Sequence, residues 1–218
     1  MSTGTRLTPI SIDGPAGPLE ALLQEHAGVR CDVTALICHP HPLYGGTLHN
    51  KVVHRAASAL HAVGAAVLRF NFRGVGESAG RFDQGEGELE DARAAMAFLA
   101  ARHPRARRWI AGFSFGSWIA ANLAASDAGI EQLILIAPPV RSGGFDAMRT
   151  ASVPKLVVQG TADETCPIEF LDQQFPGWAG PKTLIRIEGA GHFFDRQLGA
   201  LAEAITRELA GAAQRSAR

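Results

Sequence analysis

Three side chains in this 218-residue chain have the types and settings that nucleophilic acyl transfer needs: Ser114, Asp163 and His192. A serine hydroxyl is a poor nucleophile near neutral pH. It needs a base, usually an imidazole held in place by a carboxylate. Ser114 lies in Gly112-Phe113-Ser114-Phe115-Gly116. The same Gly-x-Ser-x-Gly spacing recurs at Gly76-Glu77-Ser78-Ala79-Gly80, and a chain with 24 glycines matches it easily by chance. Context separates the two. The apolar run Trp109-Ile110-Ala111 enters Ser114 directly, and a helical pattern from Phe115 to Ala125 leaves it. A strand–turn–helix of this kind lifts the hydroxyl clear of a sheet and puts the Phe115 N–H at a helix start, where an oxyanion is favoured. Ser78 follows its strand by several residues and leads into a loop, so it reads as part of a glycine-rich connection.

The acid and base also follow strands. Leu156-Val157-Val158-Gln159 runs into Gly160-Thr161-Ala162-Asp163-Glu164. Asp163 lies nearer the strand end than its rival Glu164. Leu184-Ile185-Arg186-Ile187 runs into Glu188-Gly189-Ala190-Gly191-His192, and its small residues let the loop carry His192 toward Ser114. Loops at the carboxyl ends of parallel strands are where such folds build sites.

The elements that must position these residues alternate short apolar runs with longer helical patterns. That alternation implies an α/β fold: a mainly parallel sheet of about eight strands, with helices on both faces. Leu7–Ile12 and Leu19–Gln24 flank Asp13-Gly14-Pro15 and suggest a hairpin. Strands are expected at Val33–Cys38, Ala65–Phe72, Leu133–Ala137, Lys155–Gln159 and Thr183–Ile187, and Arg108–Ala111 leads into another that ends at Gly112. Helices are expected at Lys51–Val63, capped by Asn50, and at Glu88–Arg102, Phe115–Ala125 and Phe194–Leu209. One domain spans 1–218, with residues 1–5 and 211–218 expected to fray.

Composition narrows the function classes. Hydrophobic residues make up 46% and the formal net charge is zero, so nothing favours nucleic acid or an anionic membrane. No apolar run approaches the roughly 20 residues that cross a bilayer. The polar start lacks a secretory pattern, which makes the cytoplasm the expected location. Three cysteines (Cys31, Cys38 and Cys166) give neither a disulfide framework nor a zinc pattern. His39 and His41 could chelate, but no further ligand lies nearby in sequence, so no metal and no cofactor is expected. Cys38 reads as a small buried residue and Cys166 as an accessible one. Self-association is left open.

The chain resembles the α/β-hydrolase superfamily over nearly its whole length. It is most similar to small lidless bacterial serine hydrolases, dienelactone-hydrolase-like in type. The resemblance rests on His39-Pro40-His41-Pro42-Leu43-Tyr44-Gly45-Gly46, on Asn50-Lys51-Val52-Val53, and on Phe70-Asn71-Phe72-Arg73-Gly74-Val75-Gly76-Glu77-Ser78. It implies an esterase-like or thioesterase-like enzyme with Ser114, Asp163 and His192 as triad, in the serine–acid–histidine order of that fold. It also makes the His39–Gly46 loop the source of a second oxyanion donor besides Phe115. Pro40 and Pro42 have no N–H, which leaves Leu43 as first choice and His41 as second. Larger members insert a lid after the sixth strand; the interval Pro138–Pro154 is too short for one, so an open site is expected. Tyr44, Phe145 and Phe193, with Phe115 and Trp118, are the candidate apolar walls.

The combined reading is a serine hydrolase that cleaves small or short-chain esters through an acyl-enzyme on Ser114. A thioesterase or peptidase with the same triad, or a binding protein on the same fold, are the alternatives. A dehalogenase needs a carboxylate where Ser114 stands.

Overall fold

A computed structural model describes residues 4–213. Its strands are β1 (Thr5–Gly14), β2 (Gly17–His26), β3 (Val33–Cys38), β4 (Ala66–Phe70), β5 (Arg107–Phe113), β6 (Ile130–Ile136), β7 (Lys155–Gly160) and β8 (Lys182–Ile187). They form one sheet in the order β1-β2-β4-β3-β5-β6-β7-β8. β1 and β2 pair antiparallel as a hairpin, and β2 pairs antiparallel with β4. From β4 to β8 every pairing is parallel.

Among the described residues, five α-helices cover the sheet: α1 (Lys51–Ala62), α2 (Glu86–Arg102), α3 (Phe115–Ser126), α4 (Ile168–Gln174) and α5 (Leu198–Ala213). Central strands buried on both faces must be apolar throughout, and the two-residue period of a strand divides their side chains between two cores. Leu36 and Cys38 of β3 face Ala92, Met96 and Leu99 of α2 and Ile119 and Leu123 of α3. Ala35 and Ile37 face Val53 and Leu60 of α1 and Leu201 and Ile205 of α5. Asn50 caps α1 as expected, accepting from the N–H of Val52 at 2.9 Å.

Some boundaries differ from the sequence expectation. Thr5 already belongs to β1 and Gly211–Ala213 to α5; residues 1–3 and 214–218, within the segments expected to fray, lie outside the described set. The last helix starts at Leu198 and not at Phe194, because Phe194 (φ 52°) and Arg196 (φ 62°) have left-handed backbone that an α-helix cannot include. Helix α4 had no counterpart in the sequence reading. Between β6 and β7 there are only two short 3-10 turns, Val140–Ser142 and Asp146–Arg149, so no lid covers the carboxyl edge of the sheet.

Candidate active site

Ser114 stands on the turn between β5 and α3 with φ 52° and ψ −120°, a conformation that costs a non-glycine residue of order 1–3 kcal/mol. The surroundings enforce it. Its N–H donates to the Ile136 carbonyl at 2.9 Å, and its carbonyl accepts from the Ser117 N–H at 2.8 Å and the Ser117 hydroxyl at 2.6 Å. The flanking glycines are needed for close approach. A Cβ on Gly112 would lie 2.0 Å from the Gly116 carbonyl oxygen, and one on Gly116 would lie 2.2 Å from that of Cys38.

The structure brings the three sequence-predicted residues together. The Ser114 hydroxyl lies 3.1 Å from His192 Nε2, and His192 Nδ1 lies 2.8 Å from Asp163 Oδ2. With Asp163 accepting at Nδ1–H, the neutral imidazole presents Nε2 as an acceptor to the serine proton. The Asp163 side chain is fully buried and each of its oxygens accepts twice. Oδ1 takes the N–H groups of Thr165 (2.9 Å) and Cys166 (2.7 Å), while Oδ2 takes His192 and the Gln159 side-chain amide at 3.1 Å. Four donors satisfy a carboxylate that has no contact with solvent. Glu164, the sequence rival, points to solvent. Ser78 is built into the scaffold: its hydroxyl donates to the Asn71 carbonyl at 2.7 Å and accepts from the Glu20 N–H at 2.9 Å.

The N–H of Phe115 is among the helix-start donors that have no intrahelical partner. In the His39–Gly46 loop the order of preference reverses. The Leu43 N–H donates to His41 Nδ1 at 3.2 Å, capping the short 3-10 turn Pro42–Tyr44. The His41 N–H has no acceptor among the described residues, which makes His41 the second candidate donor. His39 is structural. Its Nδ1 donates to the Pro40 carbonyl at 2.6 Å and its Nε2 accepts from the Phe72 N–H at 3.0 Å, so both ring nitrogens are occupied. Burial holds it neutral, lowering its pKa to about 4.

A cavity of about 510 Å³ opens beside Ser114, lined among others by His41, Tyr44, Gln84, Phe115, Trp118 and Gly144. Tyr44 thus fits its expected place. Phe145 does not: it is 2% exposed and stacked on Trp178 with centroids 5.8 Å apart, because the 138–154 segment turns it inward to fill the core. Phe193 lies outside the cavity, packed edge-on against His192 at 5.2 Å. Cys166 also lines the cavity, but at 4% exposure it is buried and not accessible; burial pushes its thiol up to about 12, far from thiolate chemistry. Asp163, Cys166 and His192 offer ligand atoms within 4.8 Å of one another. The carboxylate's four acceptor positions are already used, so this cluster fits an oriented acid better than a metal site.

Sequence reasoning missed Gln159 and Gln84. Gln159 is fully buried near the end of β7, where a polar residue directly after the apolar run Leu156–Val158 was the available signal. Gln84 sits on the cavity rim with φ 54°, and nothing in its neighbours' types announces that conformation.

No helix among the described residues is long and apolar enough to cross a membrane. Residues 35–151, more than half of the chain, match the family model described as serine aminopeptidase, S33. An uncharacterized protein of Rickettsia prowazekii is 37% identical over 194 residues, covering 85% of this chain and 81% of its own. Among solved structures, an α/β serine hydrolase homologue from Coxiella burnetii is 42% identical with TM-score 0.89, over 93% of this chain and 97% of that one. A member of the α/β serine hydrolases without a lid, from Xanthomonas campestris, is 38% identical with TM-score 0.86, over 94% of both chains. With its eight-stranded sheet, its short β6–β7 connection and these relatives, the chain belongs to the α/β-hydrolase family of serine hydrolases, in its small lidless group.

Proposed function

We propose that this protein is a carboxylesterase-like hydrolase acting on small or short-chain esters, with Ser114 as nucleophile, His192 as general base and acid, and Asp163 as its orienting carboxylate. The observation that carries the reading is the hydrogen-bonded line from Ser114 Oγ through His192 to Asp163, 3.1 Å and then 2.8 Å, together with Phe115 and His41 backbone N–H groups that have no acceptor among the described residues. Ser114 Oγ attacks the ester carbonyl carbon as its proton passes to His192 Nε2. The N–H groups of Phe115 and His41 receive the developing oxyanion. Collapse breaks the bond to the alcohol oxygen, which takes the proton from His192. Water then repeats the sequence on the acyl-enzyme and releases the acid.

The family model's description favours a second reading, an aminopeptidase. Such an enzyme must hold a substrate ammonium, and no carboxylate lines the cavity beside Ser114. An ester, which needs no counter-charge, suits those walls better. A panel of p-nitrophenyl esters, acyl thioesters and aminoacyl anilides, run with Ser114→Ala as control, decides between them. The expected outcome is turnover of short esters and fluorophosphonate labelling, both lost in Ser114→Ala. Labelling that survives the substitution removes Ser114 from its role; preferred turnover of anilides replaces the esterase reading with the peptidase one.

A further inference from the structure

The cavity beside Ser114 has a wall that the fold holds rigid. Trp118 follows Ser114 by four residues on α3, and its indole is wedged between two loops from distant parts of the chain. On one side is Gly85, the N-cap of α2, where an added Cβ would come within 2.3 Å of Trp118 Cζ3. On the other is Gly144, in the β6–β7 connection, where an added Cβ would come within 2.1 Å of Trp118 Nε1. Both glycines have left-handed backbone, φ 102° and 80°.

Each loop is pinned in turn. Buried Glu88 accepts from the N–H of Gly85 at 2.7 Å and of Asp83 at 2.9 Å. The Asn122 side-chain amide donates to the carbonyls of Trp118 (2.8 Å) and Gly144 (3.4 Å), tying α3 to the connection. The indole has no room to swing aside, yet it stays partly exposed and faces the cavity.

The chemistry tells which part of a substrate meets that wall. The leaving alcohol takes its proton from His192 Nε2 and must lie against that ring. His192 does not line the cavity, whereas His41 and Phe115, the residues of the two oxyanion donors, do. The acyl portion is therefore the part that enters it.

We infer that Trp118 is a specificity-determining residue, the fixed wall of an acyl pocket that admits compact acyl groups and stops long ones. This rests on the esterase reading with Ser114 as nucleophile. Removing the indole opens the pocket toward Gly85 and Gly144. Adding a methyl at Gly144 forces the indole off that loop, and with Gly85 blocking the far side the cavity is the space left to it. The two changes act on chain-length preference with opposite sign, which general destabilisation does not do.

The test measures kcat/KM for p-nitrophenyl acetate, butanoate and decanoate in the wild type, Trp118→Ala, Trp118→Phe and Gly144→Ala, with thermal unfolding of each. One additional methylene is discriminated by at least about tenfold in a well-fitted pocket. Trp118→Ala is expected to raise the decanoate-to-acetate ratio by at least about tenfold, with Trp118→Phe between it and the wild type. Gly144→Ala is expected to lower the butanoate-to-acetate ratio. Should Trp118→Ala not fold, Trp118→Phe carries the comparison. Ratios unchanged in folded variants overturn the proposal while leaving the esterase reading intact. Absence of Ser114-dependent turnover of every ester overturns the esterase reading. In that event the relative labelling rates of ethyl and decyl fluorophosphonates read the same wall without turnover, and equal rate ratios in wild type and Trp118 variants overturn the proposal separately.

Discussion

Gln159 donates from Nε2 to Asp163 Oδ2 at 3.1 Å, the same carboxylate oxygen that receives His192 Nδ1 at 2.8 Å. The same amide nitrogen reaches the Cys166 carbonyl at 2.8 Å, closing the loop that carries the acid, while Gln159 Oε1 is buried without a partner. A side chain that leaves one end unsatisfied to serve the acid is a positioning residue. Gln159→Leu removes a hydrogen bond to a charged group, worth about 1.5–3 kcal/mol. Without it the carboxylate is free to turn away from His192, so kcat is expected to fall about tenfold or more, as about 1.4 kcal/mol of barrier gives, with KM unchanged. A variant that only lowers the melting temperature, with kcat unmoved, reduces Gln159 to scaffolding.

Cys166 lies in the cavity wall beside the serine, a position that invites a nucleophilic or redox role. Burial and the nearby Asp163 carboxylate push its thiol up to about 12, so almost no thiolate exists near neutral pH. Iodoacetamide at pH 8 is expected to leave Cys166 of the native protein unmodified, by mass spectrometry of tryptic peptides, and to label it once the chain is unfolded. Rapid native labelling, with loss of ester turnover in step, contradicts this.

The acid–base line was legible in the sequence because each member follows an apolar-rich strand. Trp109–Ala111 and Leu156–Val158 are apolar throughout, and Leu184–Ile187, in the edge strand, is interrupted only by Arg186. What eluded the sequence depends on where backbone turns after the strands end. Leu43 and His41 differ as donors through a single ring nitrogen that caps a three-residue turn. Phe145 and Phe193, both expected as walls, miss the cavity because the β6–β7 connection folds Phe145 inward and left-handed Phe194 redirects the chain after His192. Helix α4 is short and begins after Pro167, with too little periodicity to declare itself.

Arg73 and Asp91 form the ion pair that anchors the loop bearing Phe82, Gln84 and Gly85. Arg73 Nε and Nη2 reach the two carboxylate oxygens at 3.0 and 2.8 Å, and the Arg73 N–H adds a third bond at 2.9 Å. The Asp91 side chain is fully buried and that of Arg73 is 11% exposed. Asp91→Ala leaves the Arg73 guanidinium with only the exposed Asp83, 3.6 Å away, as ion-pair partner, a loss of about 3–5 kcal/mol. For a chain of this length that is a fall of roughly 6–20 °C in melting temperature by calorimetry. A drop of less than about 2 °C shows that solvent reaches Arg73 and that the loop is held by other contacts.

His39 links acid sensitivity to the scaffold under the site. Its pKa falls from an ordinary 6.5 to about 4, first because burial penalises the imidazolium, against a smaller opposing effect of the Pro40 carbonyl. Between those two values the unfolded chain binds a proton that the folded chain does not. Unfolding is then favoured as pH falls from about 6.5 toward 4, and the loss levels off below about 4. A shift of this size corresponds to about 3 kcal/mol at the acid end. His41, His54 and His61 are lowered by burial as well and act in the same direction. His39→Asn keeps one acceptor and one donor near Phe72 and Pro40 but does not titrate. Urea unfolding from pH 7 to pH 4 is expected to show a smaller decline for His39→Asn than for the wild type. Parallel declines in the two proteins place the acid sensitivity in other groups.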